Sequence, residues 1–474
     1  MLGMMITELL PSLGTFYVAS EWIVRLIMLV VVPLRRPAEA TRSWLLLIFF
    51  LPIPGLLLYL AIGRPRFPQW RSDRARALIP FIERVTADLA AAGDGADGSE
   101  ALPTLVRTLG GLPATAGNAI EFLDEYDATI DRLVADIDAA ALHVRLLVYL
   151  FADDETGRKV IAALGRAVAR GVACHVLIDT FGSHAWLRGT VARLDAAGVH
   201  VRAVLPFRIL RSRTRRDMRN HRKLFVIDGA IGYAGSQNIV NKDFRPGIVN
   251  RELVVRATGP VVAEMTALFL ADWFLETETM LAQDVAIPAA TGTAVTQLLP
   301  SGSHYPLNGF ETLLIWQVHA ARAQVVITTP YFIPDEALLG AMRTAVARGV
   351  TVDIIVSAAV DQPLVSLAQR SYYDDLLYAG VRIHLFRGFL LHAKHVCIDG
   401  TLAIVGSSNV DIRSFQLNDE VSLLLLDRAS ITGLEQIQHG YLALSDPVDR
   451  TAWRQRPWPR RMAENMARLV SPLL

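Results

Sequence analysis

Residues 44–62 (WLLLIFFLPIPGLLLYLAI) run nineteen positions without a charge. As a helix of about 1.5 Å rise per residue they reach roughly 28 Å, close to the hydrocarbon thickness of a bilayer. Pro52, Pro54 and Gly55 mark where such a helix kinks, which a membrane tolerates better than water does. Residues 13–32 form a second apolar stretch, interrupted by Glu21 and Arg25. Those two stand at i,i+4 on one helix face, where pairing lowers the cost of insertion. A cleaved leader competes with this reading, because Ala38, Glu39 and Ala40 resemble a cleavage site. Arg35 and Arg36 interrupt the approach to it and a stronger span follows at once, so the pattern predicts two anchors. The chain then opens with a two-helix transmembrane hairpin over 1–66, followed by a linker helix and a Gly/Asp-rich linker over 67–104.

Farther along, the hydrophobic period alternates between strand and helix. Residues 144–151 (VRLLVYLF) read as a buried strand, 158–170 as an amphipathic helix and 173–179 as the next strand. The order returns as a strand at 325–333 (VVITTPYFI), a helix at 336–348 and a strand at 352–356. The hexapeptide AVARGV sits at 167–172 and again at 345–350, an offset of 178 residues, at the matching place in both runs. Shared helix-end grammar explains one such match, Gly closing a helix before a strand. A match embedded in the same strand–helix–strand order points to gene duplication. The fold class expected is α/β: two tandem pseudo-symmetric α-β-α domains, at 105–285 and 286–474, with mostly parallel sheets covered by helices.

Composition narrows the function. Lys and Arg number 47 against 46 Asp and Glu, so no basic excess favours nucleic acid. The mean hydropathy of +0.34 agrees with membrane segments. Cys174 and Cys397 stand far apart in apolar runs and read as buried small hydrophobes, and no His/Cys/Asp cluster has metal-ligand spacing.

The chemistry lies in a motif that occurs twice without a gap. His221, Lys223 and Asp228 are followed by Gly235, Ser236 and Asn238; His392, Lys394 and Asp399 are followed by Gly406, Ser407 and Asn409. In both copies His to Lys is two residues, His to Asp seven and His to Asn seventeen. Six such positions match by chance on the order of once in ten million starts. His and Lys at i,i+2 share a strand face. Two facing motifs therefore offer two imidazoles on either side of a phosphate, with Lys223, Lys394, Asn238, Asn409, Ser236 and Ser407 to hold its oxygens. This suits double displacement without a metal or other cofactor: one His attacks phosphorus, the other protonates the leaving alcohol and then deprotonates the acceptor. Each imidazole needs an acceptor on its second nitrogen. Glu252 and Glu420, 31 and 28 residues beyond their His, are the candidates. Asp228 and Asp399 belong to the motif, but each precedes a Gly, which suits shaping a turn.

Paired HxKxxxxD with GSxN resembles the phospholipase D superfamily. The surrounding segments, among them TTPYFIPDEALL, LLHAKHVCIDG and SSNVDIRSFQLNDE, are similar to bacterial cardiolipin synthases over nearly the whole chain. The resemblance implies tandem phospholipase D-like domains and transfer of a phosphatidyl group between two phosphatidylglycerols, giving cardiolipin and glycerol. It also implies a covalent phosphatidyl-histidine, with His221 as nucleophile and His392 as acid/base. Hydrolysis of phospholipid by the same residues is the alternative, and a phosphodiester nuclease a more distant one. The partners implied are anionic phospholipids and the bacterial inner membrane, not nucleic acid; the oligomeric state stays open. Five Arg after the second span against three between the spans place the catalytic body on the cytoplasmic side. One departure stands out: where the family usually has bulky residues after the first GSxN, this chain has the charged 241–246 (NKDFRP). The Arg-rich 208–222 reads as a surface for anionic headgroups. Tyr331 reads as a core residue or, as the alternative, one lining the cleft, and the histidines outside the motifs read as structural or surface positions.

Overall fold

The computed structural model describes residues 2–36, 38–63, 69–92, 100–206, 218–302 and 304–470. The Gly/Asp-rich stretch and most of the Arg-rich 208–222 lie outside the described residues. At the N-terminus, helix Leu2–Val31 contains the one segment long and apolar enough to cross a membrane among the described residues, Gly14–Val31. Phe16, Trp22 and Leu26 on it are more than half exposed. Arg25 pairs with Glu21 at 3.3 Å, as the i,i+4 spacing predicts, and also donates to the Phe49 carbonyl at 3.0 Å. The run 44–62, expected as one span, is instead divided between helices Ala38–Phe50 and Pro52–Ile62. Leu51 leaves helical geometry at φ −130° and ψ 72° because the Pro52 ring crowds the residue before it. The two short helices fold onto each other and onto the first, with Trp44 edge-on to Tyr59 at 5.1 Å.

Helices Gln69–Ala77 and Ile79–Ala92 pack on the body. Phe81, Val85 and Leu89 of helix Ile79–Ala92 lie against helix Val261–Thr277. Arg71 is buried, paired with Glu276 and lying 3.7 Å from Asp419.

Fifteen strands form one sheet. From one edge it runs His200–Val204, Ala173–Asp179, His143–Val148, Leu224–Ile227, Ile231–Gly235, Val254–Thr258 and Thr115–Leu123. It continues through Ala294–Ser301, Glu420–Leu425, Leu402–Gly406, His395–Ile398, Gln324–Thr328, Thr351–Ser357, Arg382–Phe386 and Ser445–Pro447. The sheet is mixed, which corrects the expectation of mostly parallel sheets. Parallel pairing is confined to the edges, where helices Glu155–Ala169 and Glu336–Ala347 make the crossovers. Each motif strand instead turns back as a hairpin. Asp228–Gly229 and Asp399–Gly400 all have φ between 52° and 63°, the left-handed pair that tight antiparallel turns require. Strand 144–151 ends earlier than its apolar run, at Val148, and 325–333 is broken after Thr328 by the Thr329–Pro330 step.

The repeated hexapeptide builds the same turn twice. Gly171 and Gly349 take φ of 89° and 90°, and the Val after each donates to the Ala five residues back at 3.0 Å. Asp154 and Asp335 cap the two crossover helices, accepting from backbone N–H groups three residues on at 2.9 and 2.8 Å. Helix Val261–Thr277 is apolar almost all round and buried at the centre of the sheet, as that composition demands. Cys174 and Cys397 are buried free thiols.

Candidate active site

The two motifs converge on one cavity of about 490 Å³. His221, His392, Asn238 and Asn409 line it. In each motif the lysine lies on its histidine's face, as i,i+2 spacing predicts. The Lys223 ammonium donates to the His221 carbonyl at 2.7 Å and Lys394 to the His392 carbonyl at 2.6 Å.

The glutamates are exchanged between halves. Glu420 accepts from His221 Nδ1 at 3.0 Å, and Glu252 from His392 Nδ1 at 2.8 Å. Spacing along the chain had suggested Glu252 for His221 and Glu420 for His392, and that pairing is corrected. The cause is strand register. Asn220 bridges Asp419 in parallel, and Asn250–Arg251 pairs in parallel with Leu390–Leu391. His221 N–H consequently donates to the Asp419 carbonyl and His392 N–H to the Arg251 carbonyl, both at 2.8 Å. Each histidine is thus stitched to the residue just before the other half's glutamate.

Ser236, Ser407, Asp228 and Asp399, like the two lysines, are not among the residues that line the cavity. Ser407 Oγ donates to Glu420 at 2.5 Å and accepts from Val421 N–H at 3.0 Å. Ser236 Oγ accepts from Leu253 N–H at 3.0 Å, beside Glu252. Both hydroxyls are fully buried and hold the glutamate strands. Asp228 takes three backbone N–H groups at Ala141, Leu142 and His143, and Asp399 takes those of Arg322, Ala323 and Gln324. These carboxylates fasten the far end of each motif strand to the start of its neighbour. Grouping them with the reacting residues is corrected on that geometry. Asn238 Oδ1 accepts from Leu150 N–H at 3.1 Å, which turns its NH₂ toward the cavity.

Burial dominates the electrostatics. It pushes both His221 and His392 down to about 4, against the opposing pull of Glu420 and Glu252 and with the help of the lysines, so both imidazoles are neutral at pH 7. It also brings Lys223 down to about 7 and Lys394 to about 8. The same burial acts to raise Glu252 and Glu420, but the imidazoles and lysines beside them prevail and hold both carboxyls low.

Other cavity residues escaped the sequence reading. The Tyr149 ring stands 4.8 Å from the His221 ring, and burial pushes its hydroxyl up to about 12. It sat inside an apolar run and carried no signal. Tyr331, read as core, lines the cavity, as do Arg219, Arg245 and Arg413. Arg219 was legible by alternation, since 219, 221 and 223 share one face. Among the described residues no group of three or more His, Cys, Asp and Glu is arranged to hold a metal.

Comparison with known proteins gives the family. Residues 133–273 and 314–439 match the family described as cardiolipin synthase, PLD-like domain, and 22–64 match the phospholipase D-nuclease N-terminal family. Cardiolipin synthase A of Erwinia tasmaniensis is 34% identical, covering 97% of this chain and 100% of its own. The Klebsiella pneumoniae protein of the same name gives the same three figures. Among solved structures, phosphatidylserine synthase of Haemophilus influenzae superposes with a TM-score of 0.56 at 16% identity, over 75% of this chain and 95% of that one, a likeness of fold. With both halves matched and near-complete relatives at this identity, the chain belongs to the cardiolipin synthase family of phospholipase D-like proteins.

Proposed function

We propose that this protein is a membrane-anchored cardiolipin synthase, joining two phosphatidylglycerols into cardiolipin and glycerol. The observation that carries the reading is the crossed pair of His–Glu contacts facing one cavity. Each neutral imidazole has Nδ1 held by a carboxylate, which leaves Nε2 as the reactive nitrogen. His221 attacks phosphorus, the P–O bond to glycerol breaks and His392 gives the departing oxygen its proton. In the second step His392 takes the proton of the acceptor's hydroxyl, a new P–O bond forms and the P–N bond to His221 breaks. The anionic phosphodiester favours the imidazolium of His392 when it binds, supplying the acid for this step. Lys223, Lys394 and the amides of Asn238 and Asn409 stabilise the charge on the equatorial oxygens. Purified protein with phosphatidylglycerol in detergent, its products resolved by mass spectrometry, tests the reading. Cardiolipin and glycerol are expected; phosphatidic acid as sole lipid product would make the enzyme a hydrolase.

Residues 105–285 and 286–474 read as two copies of one domain. In support, the strand order outward from Thr115–Leu123 parallels that outward from Ala294–Ser301, and the repeated hexapeptide forms the same turn in both. The N-terminal helices read as the anchor, helix Leu2–Val31 crossing the membrane with the two short helices packed against it and the body on the cytoplasmic side. Arg42, Ser43 and Leu46 share a cleft with Pro334, Tyr372 and Ile412, and Ile412 also lines the active-site cavity. The anchor thus leaves the body beside the cavity. Deleting residues 1–66 spares Arg71 and its buried partners, so the remainder is expected to fold and to act on detergent-dispersed lipid. Its rate on intact vesicles is expected to fall at least about tenfold, because the surface no longer concentrates enzyme with substrate. Equal vesicle rates at matched protein concentration would refute a role in presentation.

The lysines set the pH dependence. A deprotonated lysine cannot neutralise the phosphate, so kcat/KM, which already declines above about 4 as the His392 acid loses its proton, is expected to fall more steeply as pH rises through 7 to 8. On the acid side it falls as His221 protonates near 4. Bound phosphodiester favours the ammonium forms, so the alkaline limb of kcat lies at higher pH than that of kcat/KM. A kcat/KM that still climbs between pH 8 and 9 would remove the lysines from this role.

A further inference from the structure

The cavity has two unlike flanks. Tyr149 and Arg219 stand on the flank of His221. On the other, Glu252 holds His392, and the strand before it, Asn250–Arg251, pairs with Leu390–Leu391 and donates from Asn250 N–H to the Lys242 carbonyl of the 241–246 stretch at 2.9 Å. There a network joins the two halves. Asp361, its side chain 3% exposed, accepts from the Tyr331 hydroxyl at 2.5 Å and pairs with Arg245, while Gln362 donates to the Tyr331 oxygen at 2.9 Å. Arg245 comes from the charged 241–246 stretch that follows the first GSxN, and its partners come from the second half of the chain. The buried carboxylate fixes a guanidinium that stays 37% exposed on its loop. Hydroxyl, amide and guanidinium side by side suit an anion carrying a polyol.

The acceptor alcohol must enter from the side by which glycerol left, the His392 side, because one residue serves both proton transfers. A lipid acceptor differs there from water or free glycerol, since it carries a second phosphodiester one glycerol away from its reacting hydroxyl. We propose that Arg245, with Tyr331 and Gln362 beside it, is the acceptor subsite: the guanidinium binds the phosphodiester of the receiving lipid and its neighbours orient that lipid's glycerol. This rests on the transfer reaction above. A fixed cation at this position also disfavours headgroups that end in an ammonium.

Two rates from one preparation test it. Full-length protein in phosphatidylglycerol micelles is assayed for cardiolipin and for incorporation of labelled free glycerol into phosphatidylglycerol. The second reaction discharges the same phosphatidyl-histidine to an uncharged acceptor. Arg245→Gln is expected to lower the ratio of cardiolipin formation to glycerol exchange by about tenfold or more, the scale of one charge-assisted contact. Arg245→Lys, which keeps a point charge, is expected to recover part of that ratio. An unchanged ratio in Arg245→Gln, whether both rates hold or both fall, would overturn the subsite. Wild-type enzyme that exchanges glycerol but makes no cardiolipin would overturn the transfer reading itself, and the subsite with it.

Discussion

Replacing either His221 or His392 by alanine is expected to lower kcat by on the order of 10⁴ while leaving the protein folded. Neither imidazole can substitute for the other, because each faces the phosphate from its own side and is held by its own carboxylate. Removing His221 takes away the nitrogen that forms the covalent bond; removing His392 takes away the proton of the leaving alcohol. The fold should survive. Glu420 keeps Ser407 and the nearby Lys223, and Glu252 keeps Ser236 and Lys394, so neither carboxylate is left without compensation. Cardiolipin formation measured beside a thermal melt checks both halves of the expectation. Turnover within tenfold of wild type for either variant, at unchanged melting temperature, would sink the two-histidine mechanism.

The second large effect follows from the exchange of glutamates. Glu420→Gln and Glu252→Gln are each expected to slow turnover by about 10² to 10³, since an amide cannot hold the imidazole in the required tautomer as a carboxylate does. The two should fail differently, one in the covalent adduct and the other in proton transfer. Glu420 serves His221, so its loss slows formation of the phosphatidyl-enzyme and little adduct is trapped on acid quench. Glu252 serves His392, which protonates the leaving glycerol and deprotonates the acceptor, so its loss slows formation and discharge alike and the labelled fraction on His221 stays near that of wild type. The opposite pattern, with adduct retained in Glu420→Gln and scarce in Glu252→Gln, would exchange the roles of the two histidines while keeping the crossed geometry. Adduct levels that do not differ between the variants would contradict this separation.

How far the sequence alone carries is plain from particular residues. Strand and helix limits around the repeated hexapeptide were legible because caps, the closing glycine and apolar period act within a few residues. The shared face of His221 with Lys223 and of His392 with Lys394 was legible from alternation along an extended chain. The proposal of two-histidine chemistry followed from spacing repeated without a gap. Local grammar misled where one residue outweighed a run: Pro52 divides an apolar stretch long enough to span, and Asp228 and Asp399 open hairpins that make the sheet mixed.

Everything that depends on which distant strands become neighbours was decided by the tertiary structure. His221 and Glu420 are 199 residues apart, His392 and Glu252 140, and no spacing along one repeat predicts that the halves exchange carboxylates. Ser236 and Ser407 look like phosphate ligands in a linear motif, and become struts for Glu252 and Glu420 once the strands pair. Tyr331 and Arg245 look like core and loop, and meet through Asp361 at one wall of the cavity. Side-chain chemistry and local geometry are written residue by residue, so the sequence determined what this protein can react with and by which groups. Pairing across a domain interface is set by strand register summed over many backbone hydrogen bonds, so only the folded chain decided which group serves which.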